Sequence, residues 1–130
     1  VARKNTAELH LRNLEILQSN WFAALGASRF DVIASNPPYI ELNDEHLSQG
    51  DLRYEPSSAL VSGADGLDAI RIIIAGAKNH LNPNAWLMIE HGWNQGEAVR
   101  NLFAQSGFVE ISTEQDLGQR DRVTMGRLVV

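Results

Sequence analysis

Residues 30–39 read Phe30-Asp31-Val32-Ile33-Ala34-Ser35-Asn36-Pro37-Pro38-Tyr39, and the break at Asn36 decides how the rest of the chain is understood. Phe30 to Ser35 is short, apolar and partly β-branched. It reads as a strand buried on both faces, the kind that parallel sheets use. Two prolines stop it. Proline pushes the residue before it out of the helical region, so Asn36 and Pro37 are both expected to stay extended. Neither proline has an N–H to give, but each carbonyl still accepts. The turn therefore offers the Asn36 amide, the Pro37 carbonyl beside it and the aromatic face of Tyr39. An amide oxygen and a carbonyl can each accept one N–H from the same –NH2 group. Tyr39 can pack on a flat group held there. Asn36 is no base, so such a site works by orientation. Its acceptors bind more strongly as a nitrogen becomes positive during attack.

The bulk composition sets the frame. The 130 residues are 44% hydrophobic and 21% charged, enough for one domain with its own core. No run of about eighteen apolar residues occurs, so no membrane-spanning helix is expected. There is no cysteine, which excludes disulfides and thiolate metal sites and fits a cytoplasmic location. A net charge of −5 weighs against nucleic acid as a partner, because phosphate binding needs clustered Lys and Arg.

Around the tetrapeptide, strand and helix signals alternate. Val1 to Leu9 reads as the end of a helix, and Leu14 to Leu17 as a short strand. Residues 40–64 have little periodicity. Glu41, Asp44 and Glu45 read as a solvated acidic turn, and a long loop just past the tetrapeptide is expected to serve as a substrate-binding lid. A helix starts near Asp65. Ile70, Ile73, Ile74, Ala77 and Leu81 form its apolar stripe, and Asn82-Pro83-Asn84 is expected to end it. Trp86 to Ile89 reads as a second buried strand. Asn94-Gln95-Gly96-Glu97 reads as a capping box for a helix that buries Ala98, Val99, Leu102 and Phe103 and stops at Gly107. Phe108 to Thr113 and Val123 to Val130 read as strands around a charged turn at Asp116 to Arg122. With no helix between them, they are expected to pair antiparallel. His10, His46 and His80 show no metal-ligand spacing and read as surface or capping residues, so no metal site is expected. His91 is read as non-catalytic, since nothing in the spacing supplies it with an acid partner.

The tetrapeptide resembles the Asn-Pro-Pro-Tyr motif of S-adenosylmethionine-dependent amino methyltransferases. Gln49-Gly50-Asp51-Leu52-Arg53-Tyr54-Glu55-Pro56, Ala59-Leu60, Glu90 to Arg100 and Arg122 to Arg127 extend the resemblance to the release-factor glutamine methyltransferases, the HemK/PrmC family. It runs over essentially the whole chain. It implies an incomplete doubly wound α/β sheet of the Rossmann-like, class I methyltransferase kind, with an antiparallel C-terminal strand. It also implies S-adenosyl-L-methionine as cofactor and peptide-chain release factors, at the glutamine of their Gly-Gly-Gln motif, as substrate. On this resemblance Asn36 and Pro37 are catalytic, Asn36, Pro37, Pro38 and Tyr39 bind substrate, and Asn20, Trp21 and Asn36 contact cofactor. The family places an acidic residue where Asn20 stands. Asn20 is open to two readings, an amide on the adenine edge or a cap of the turn that follows. Trp21 and Phe22 are open to cofactor contact or core packing. Two alternatives stand beside this activity: an amino methyltransferase for adenine or guanine in DNA or RNA, and a catalytically incomplete binding module.

The glycine-rich turn and the ribose-binding acid that such sheets carry are not found. The chain also starts at Val1 with no Met, inside what reads as a helix. The expectation is the C-terminal portion of a methyltransferase domain over residues 1–130, without its cofactor half and a helical N-terminal domain. Alone it is expected to bind cofactor poorly, to be inactive, and to self-associate through unpaired sheet edges.

Overall fold

The computed structural model describes residues 12–39 and 65–129. The expected helix at 1–9, the loop at 40–64 with its acidic and motif residues, His10 and His46 lie outside the described residues. Four strands and two helices follow one another as β1 (Phe30–Ser35), α1 (Asp68–Ala77), β2 (Leu81–Glu90), α2 (Gly96–Gln105), β3 (Phe108–Gln115) and β4 (Asp121–Leu128), after a single 3₁₀ turn at Ala23–Leu25. The sheet order is β1-β2-β4-β3. β1 and β2 run parallel, while β4 runs antiparallel to both β2 and β3. This is the α/β class with the antiparallel C-terminal strand that the sequence implied.

The helices form where apolar residues recur at helical spacing. On α1, Ile70, Ile73, Ile74 and Ala77 are buried. The N-terminus of α1 is held by Asp65, whose carboxylate accepts the Leu67 N–H at 3.0 Å and pairs with Arg71. Arg71 keeps the Asp65 carboxyl below the ordinary carboxylate range. The helix stops at Ala77, four residues earlier than the stripe suggested. Leu81 is fully buried, but as the first residue of β2, where it pairs with Phe30. Spacing of i and i+4 cannot tell these two fates apart. Asn82-Pro83-Asn84 accordingly lies inside a strand. There β2 advances from Leu81 to Trp86 while β1 advances only from Phe30 to Val32. Pro83 has no N–H for a ladder and sits where the ladder slips. Asn84 takes a φ of 66°, the left-handed form that Asn tolerates, and its Oδ1 accepts from Arg127 at 2.7 Å.

Other expectations need correction. Residues 14–17 form no strand, and Leu14 and Leu17 are largely exposed. A run of that length becomes a strand only beside a partner, and the four strands of the sheet lie elsewhere. β1 is not buried on both faces: among the described residues it pairs with β2 alone, and Val32 is 55% exposed. The capping box does not form. Gln95 is the N-cap residue of α2 but makes no capping bond, because its side chain is used elsewhere. Ala98 is exposed, while Val99 and Phe103 carry the buried face. His80 is buried rather than superficial. Its ring stacks on Phe22 at 4.9 Å, and Nδ1 lies 2.9 Å from the Ser28 carbonyl. It fastens the segment before β1 to the turn after α1. The charged turn at 116–120 is as ordered as a cap. Asp116 accepts from the Gly118 and Arg120 N–H groups and from Arg122.

Candidate functional site

Register fixes the site. Ser35 pairs with Ile89, so Asn36 leaves the sheet beside Glu90, and Glu90 pairs with Val123 across β2 and β4. Pro37 and Pro38 end the ladder here, since neither can donate to it. A cavity of about 290 Å³ opens at this point, lined by Ala34, Ser35, Asn36, Met88, Glu90 and Val123. It sits at the carboxyl ends of the parallel strands, where open α/β sheets place ligands. A second cavity of about 170 Å³ is lined by Trp21, Phe22, Leu25, Ile33, Ala34, Ser35 and Ile73. The two share Ala34 and Ser35, consecutive strand residues whose side chains point to opposite faces, so the cavities lie on either side of the end of β1.

The residues singled out from sequence divide between these spaces. Asn36 is exposed on the first cavity, and Trp21 is 43% exposed on the second. Pro37 is buried, and Pro38 and Tyr39 are half-buried behind the rim. Asn20 lines neither cavity. Its carbonyl accepts the Ala23 N–H at 3.1 Å, while the side-chain bond to this turn comes from Ser19, whose Oγ accepts the Ala24 N–H at 2.8 Å. The capping reading of Asn20 thus belongs to Ser19. Phe22 packs against the core as well as lining the cleft. A Cβ on Gly76 would fall 2.5 Å from its ring, so α1 needs a glycine there.

Glu90, the first residue of the motif segment Glu90 to Arg100, is a wall residue that the sequence reading gave no role in the site. Its position at a strand end, two residues before Gly92, was the available signal. Tyr39 donates its hydroxyl to Glu90 Oε1 at 3.3 Å. Burial first, and then the Glu90 charge, push the Tyr39 hydroxyl above its ordinary pKa. Tyr39 therefore remains a neutral donor. Among the described residues, no group of three or more His, Asp or Glu side chains could hold a metal ion.

Behind the cavity lies a polar chain, partly buried at Arg100 and Thr113 and fully buried at Thr124 and His91. Arg100 on α2 donates to Thr113 Oγ1 at 2.8 Å, and Thr113 and Thr124 share a hydrogen between oxygens 2.7 Å apart. Thr124 Oγ1 is 2.7 Å from His91 Nε2, and His91 Nδ1 is 2.9 Å from the Gly92 carbonyl. A carbonyl only accepts, so Nδ1 carries the proton and Nε2 accepts from Thr124. Thr124 in turn accepts from Thr113, which accepts from Arg100. Both ends impose one direction, and His91 is neutral. It is fully buried, and that desolvation lowers its pKa against the opposing pull of the Gly92 carbonyl and Asp121 and with the help of Arg100 and Arg122.

The sign of the linkage follows. The unfolded chain takes up a proton near the ordinary value of 6.5, before the folded chain does. The contribution of His91 to stability is thus complete above that value and declines as pH falls through it. Urea midpoints measured from about pH 8 to about pH 5 should fall, and should fall less in His91→Gln. An equal fall in both would refute this assignment.

No family model matches the chain. Its sequence is 55% identical over 127 residues to the release factor glutamine methyltransferase of Xylella fastidiosa, covering 98% of this chain and 46% of that protein. The proteins of the same name from Pseudomonas aeruginosa and Escherichia coli are 50% and 46% identical over the same shares. A solved structure of a release factor-specific protein-(glutamine-N5) methyltransferase from Alicyclobacillus acidocaldarius has a TM-score of 0.49 at 25% identity, covering 78% of this chain and 50% of that one. The chain spans about half the length of the curated relatives it matches. Along nearly its whole length, therefore, the chain is similar in sequence to about half of each of these release factor glutamine methyltransferases.

Proposed function

We propose that this chain supplies the substrate half of an active site that transfers a methyl group from S-adenosyl-L-methionine to a glutamine side-chain amide. The glutamine is that of the Gly-Gly-Gln motif in peptide-chain release factors. The observation that carries this reading is the exposed Asn36 amide on the rim of the strand-end cavity, followed by two residues that can accept but not donate. The names of the homologues support it.

When bound, S-adenosylmethionine supplies an electrophilic methyl group on a sulfonium. The residues present suit its aromatic end. The smaller cleft is mostly apolar, with Trp21 standing partly free on its wall, and Trp21 rather than Asn20 reaches it.

A carboxamide nitrogen is a poor nucleophile because its lone pair is delocalised. Asn36 Oδ1 and the Pro37 carbonyl accept its two N–H bonds, which fixes the plane and turns the lone pair toward the methyl group. As the nitrogen gains the methyl group, the bond from that carbon to the sulfonium would break and leave a neutral thioether; positive charge grows on nitrogen and both acceptors bind it more tightly than they bind the ground state. The surplus proton leaves to solvent afterwards, so no side-chain base is needed. Tyr39, anchored through Glu90, backs the turn. The Glu90 carboxylate on the wall and the net charge of −5 oppose a phosphate-bearing substrate. A translation-factor substrate also puts the activity in the cytoplasm. The described residues include no helix long and apolar enough to cross a membrane.

The test uses the intact protein with methyl-labelled cofactor, a release factor and, separately, DNA and RNA. Label on the Gly-Gly-Gln peptide is the expected result. Label in nucleic acid, or none in any substrate, would overturn the reading. The same assay on residues 1–130 alone should show no transfer.

A further inference from the structure

Gln95 is 6% exposed, and its side chain joins three separate stretches of chain. Oε1 accepts the Gly92 N–H at 2.7 Å. Nε2 donates to the Tyr39 carbonyl at 2.9 Å and to the Asp65 carbonyl at 3.3 Å. Two carbonyls face the nitrogen and one N–H faces the oxygen, so the partners permit one orientation of the amide. The space around it is shaped for this side chain. A Cβ on Gly66 would stand 2.3 Å from the Tyr39 oxygen and 2.7 Å from Nε2, and one on Gly92 would stand 3.0 Å from Oε1. Gly66 also takes a φ of 77°. Gln95 itself precedes α2, which Val99 and Phe103 anchor in the core.

The tetrapeptide is a stiff arm, because two consecutive prolines fix two of its φ angles. One end is set by the pairing of Ser35 with Ile89, and the other by the Gln95 bond to the Tyr39 carbonyl. We infer that Gln95 is a positioning residue for the reaction proposed above: it clamps the far end of the Asn36–Tyr39 arm and so sets where the Asn36 amide stands over the cavity. The inference rests on that functional reading for its kinetic consequence and on geometry for the clamp itself. Without the Nε2 bond to its carbonyl, Tyr39 keeps its side-chain bond to Glu90, but the main chain of the arm is fixed only where it leaves β1. Small misplacements of an orienting group are costly, since a shift of about 1 Å can lose about a hundredfold in rate.

The experiment compares the intact protein with its Gln95→Glu and Gln95→Met variants. Gln95→Glu keeps an acceptor for Gly92 but loses the donors, and Gln95→Met keeps the shape and loses every bond. In both, kcat for methyl transfer to release factor should fall about a hundredfold, while KM for S-adenosylmethionine moves less than about threefold. Crystal structures of the variants should show the Asn36–Tyr39 main chain displaced, with α1 and β2 unchanged. A kcat within about threefold of the unaltered protein, or cofactor affinity lost in step with kcat, would overturn the inference. If the unaltered protein transfers no methyl group, the functional reading fails separately. The variant structures then decide the clamp alone, and an unmoved Asn36–Tyr39 main chain overturns it. Two variants of different chemistry keep the test open should one of them not fold.

Discussion

Asn36→Ala in the intact protein should lower kcat for glutamine methylation by about 10²–10³-fold, the range found when one preorganised hydrogen-bonding group is removed from a charge-stabilising site. The side chain is exposed, so its loss leaves no buried group unsatisfied and the fold intact. The Pro37 carbonyl would still accept one N–H, but the second N–H would turn to water and the amide plane would swing. Because the bond to Asn36 strengthens as the nitrogen becomes positive, the effect belongs to kcat more than to KM. Cofactor affinity should change by no more than about threefold. Single-turnover kinetics with titrated cofactor separates the two. Equal losses in both would mean that Asn36 holds cofactor rather than the amide.

Phe103→Ala should destabilise the fold by about 3–5 kcal/mol, read as a lower urea midpoint at unchanged slope. Phe103 is fully buried on α2, with its ring 5.2 Å from that of Phe108. It also lies against Gly126 in β4, where a Cβ would fall 2.7 Å from its Cδ2. The ring therefore fills a gap that β4 leaves by having no side chain at that point. Neither a sheet nor a helix end can collapse far enough to fill it, which puts the cost at the upper part of the range. Whole domains hold about 5–15 kcal/mol, so this one substitution uses much of the margin. A loss of about 1 kcal/mol or less would mean that α2 slides in to close the space.

Local pattern carried the reading furthest where one signal had one outcome. The break at Pro37 and Pro38, the alternation from Val123 onward, the stop at Gly107 and the stripe on α1 up to Ala77 all depend on chain geometry within a few residues. The misreadings arose where partners distant in sequence decide. Leu81 satisfies a helical stripe, yet its backbone bonds to β1, some fifty residues earlier. The β-prone run at 14–17 has a strand's composition without a place in the sheet. Asn94 to Glu97 has the letters of a capping box, but two distant carbonyls and the nearby Gly92 N–H claim the Gln95 side chain first. His80 and Glu90 were missed for the same reason: their roles depend on Ser28 and Tyr39, which no spacing rule links to them. In the candidate site, the tetrapeptide was visible in sequence, while the parts that hold it were not.

The polar chain from Arg100 through Thr113 and Thr124 to His91 has its hydrogens committed in one direction. Its first member is a guanidinium, which only donates, and its last partner is a carbonyl, which only accepts. A row of hydroxyls beside an imidazole usually suggests a conduit for protons. Closed at both ends, this one conducts nothing and serves as a strut between two strands and a helix. That suits a reaction whose only surplus proton departs from the substrate directly into water.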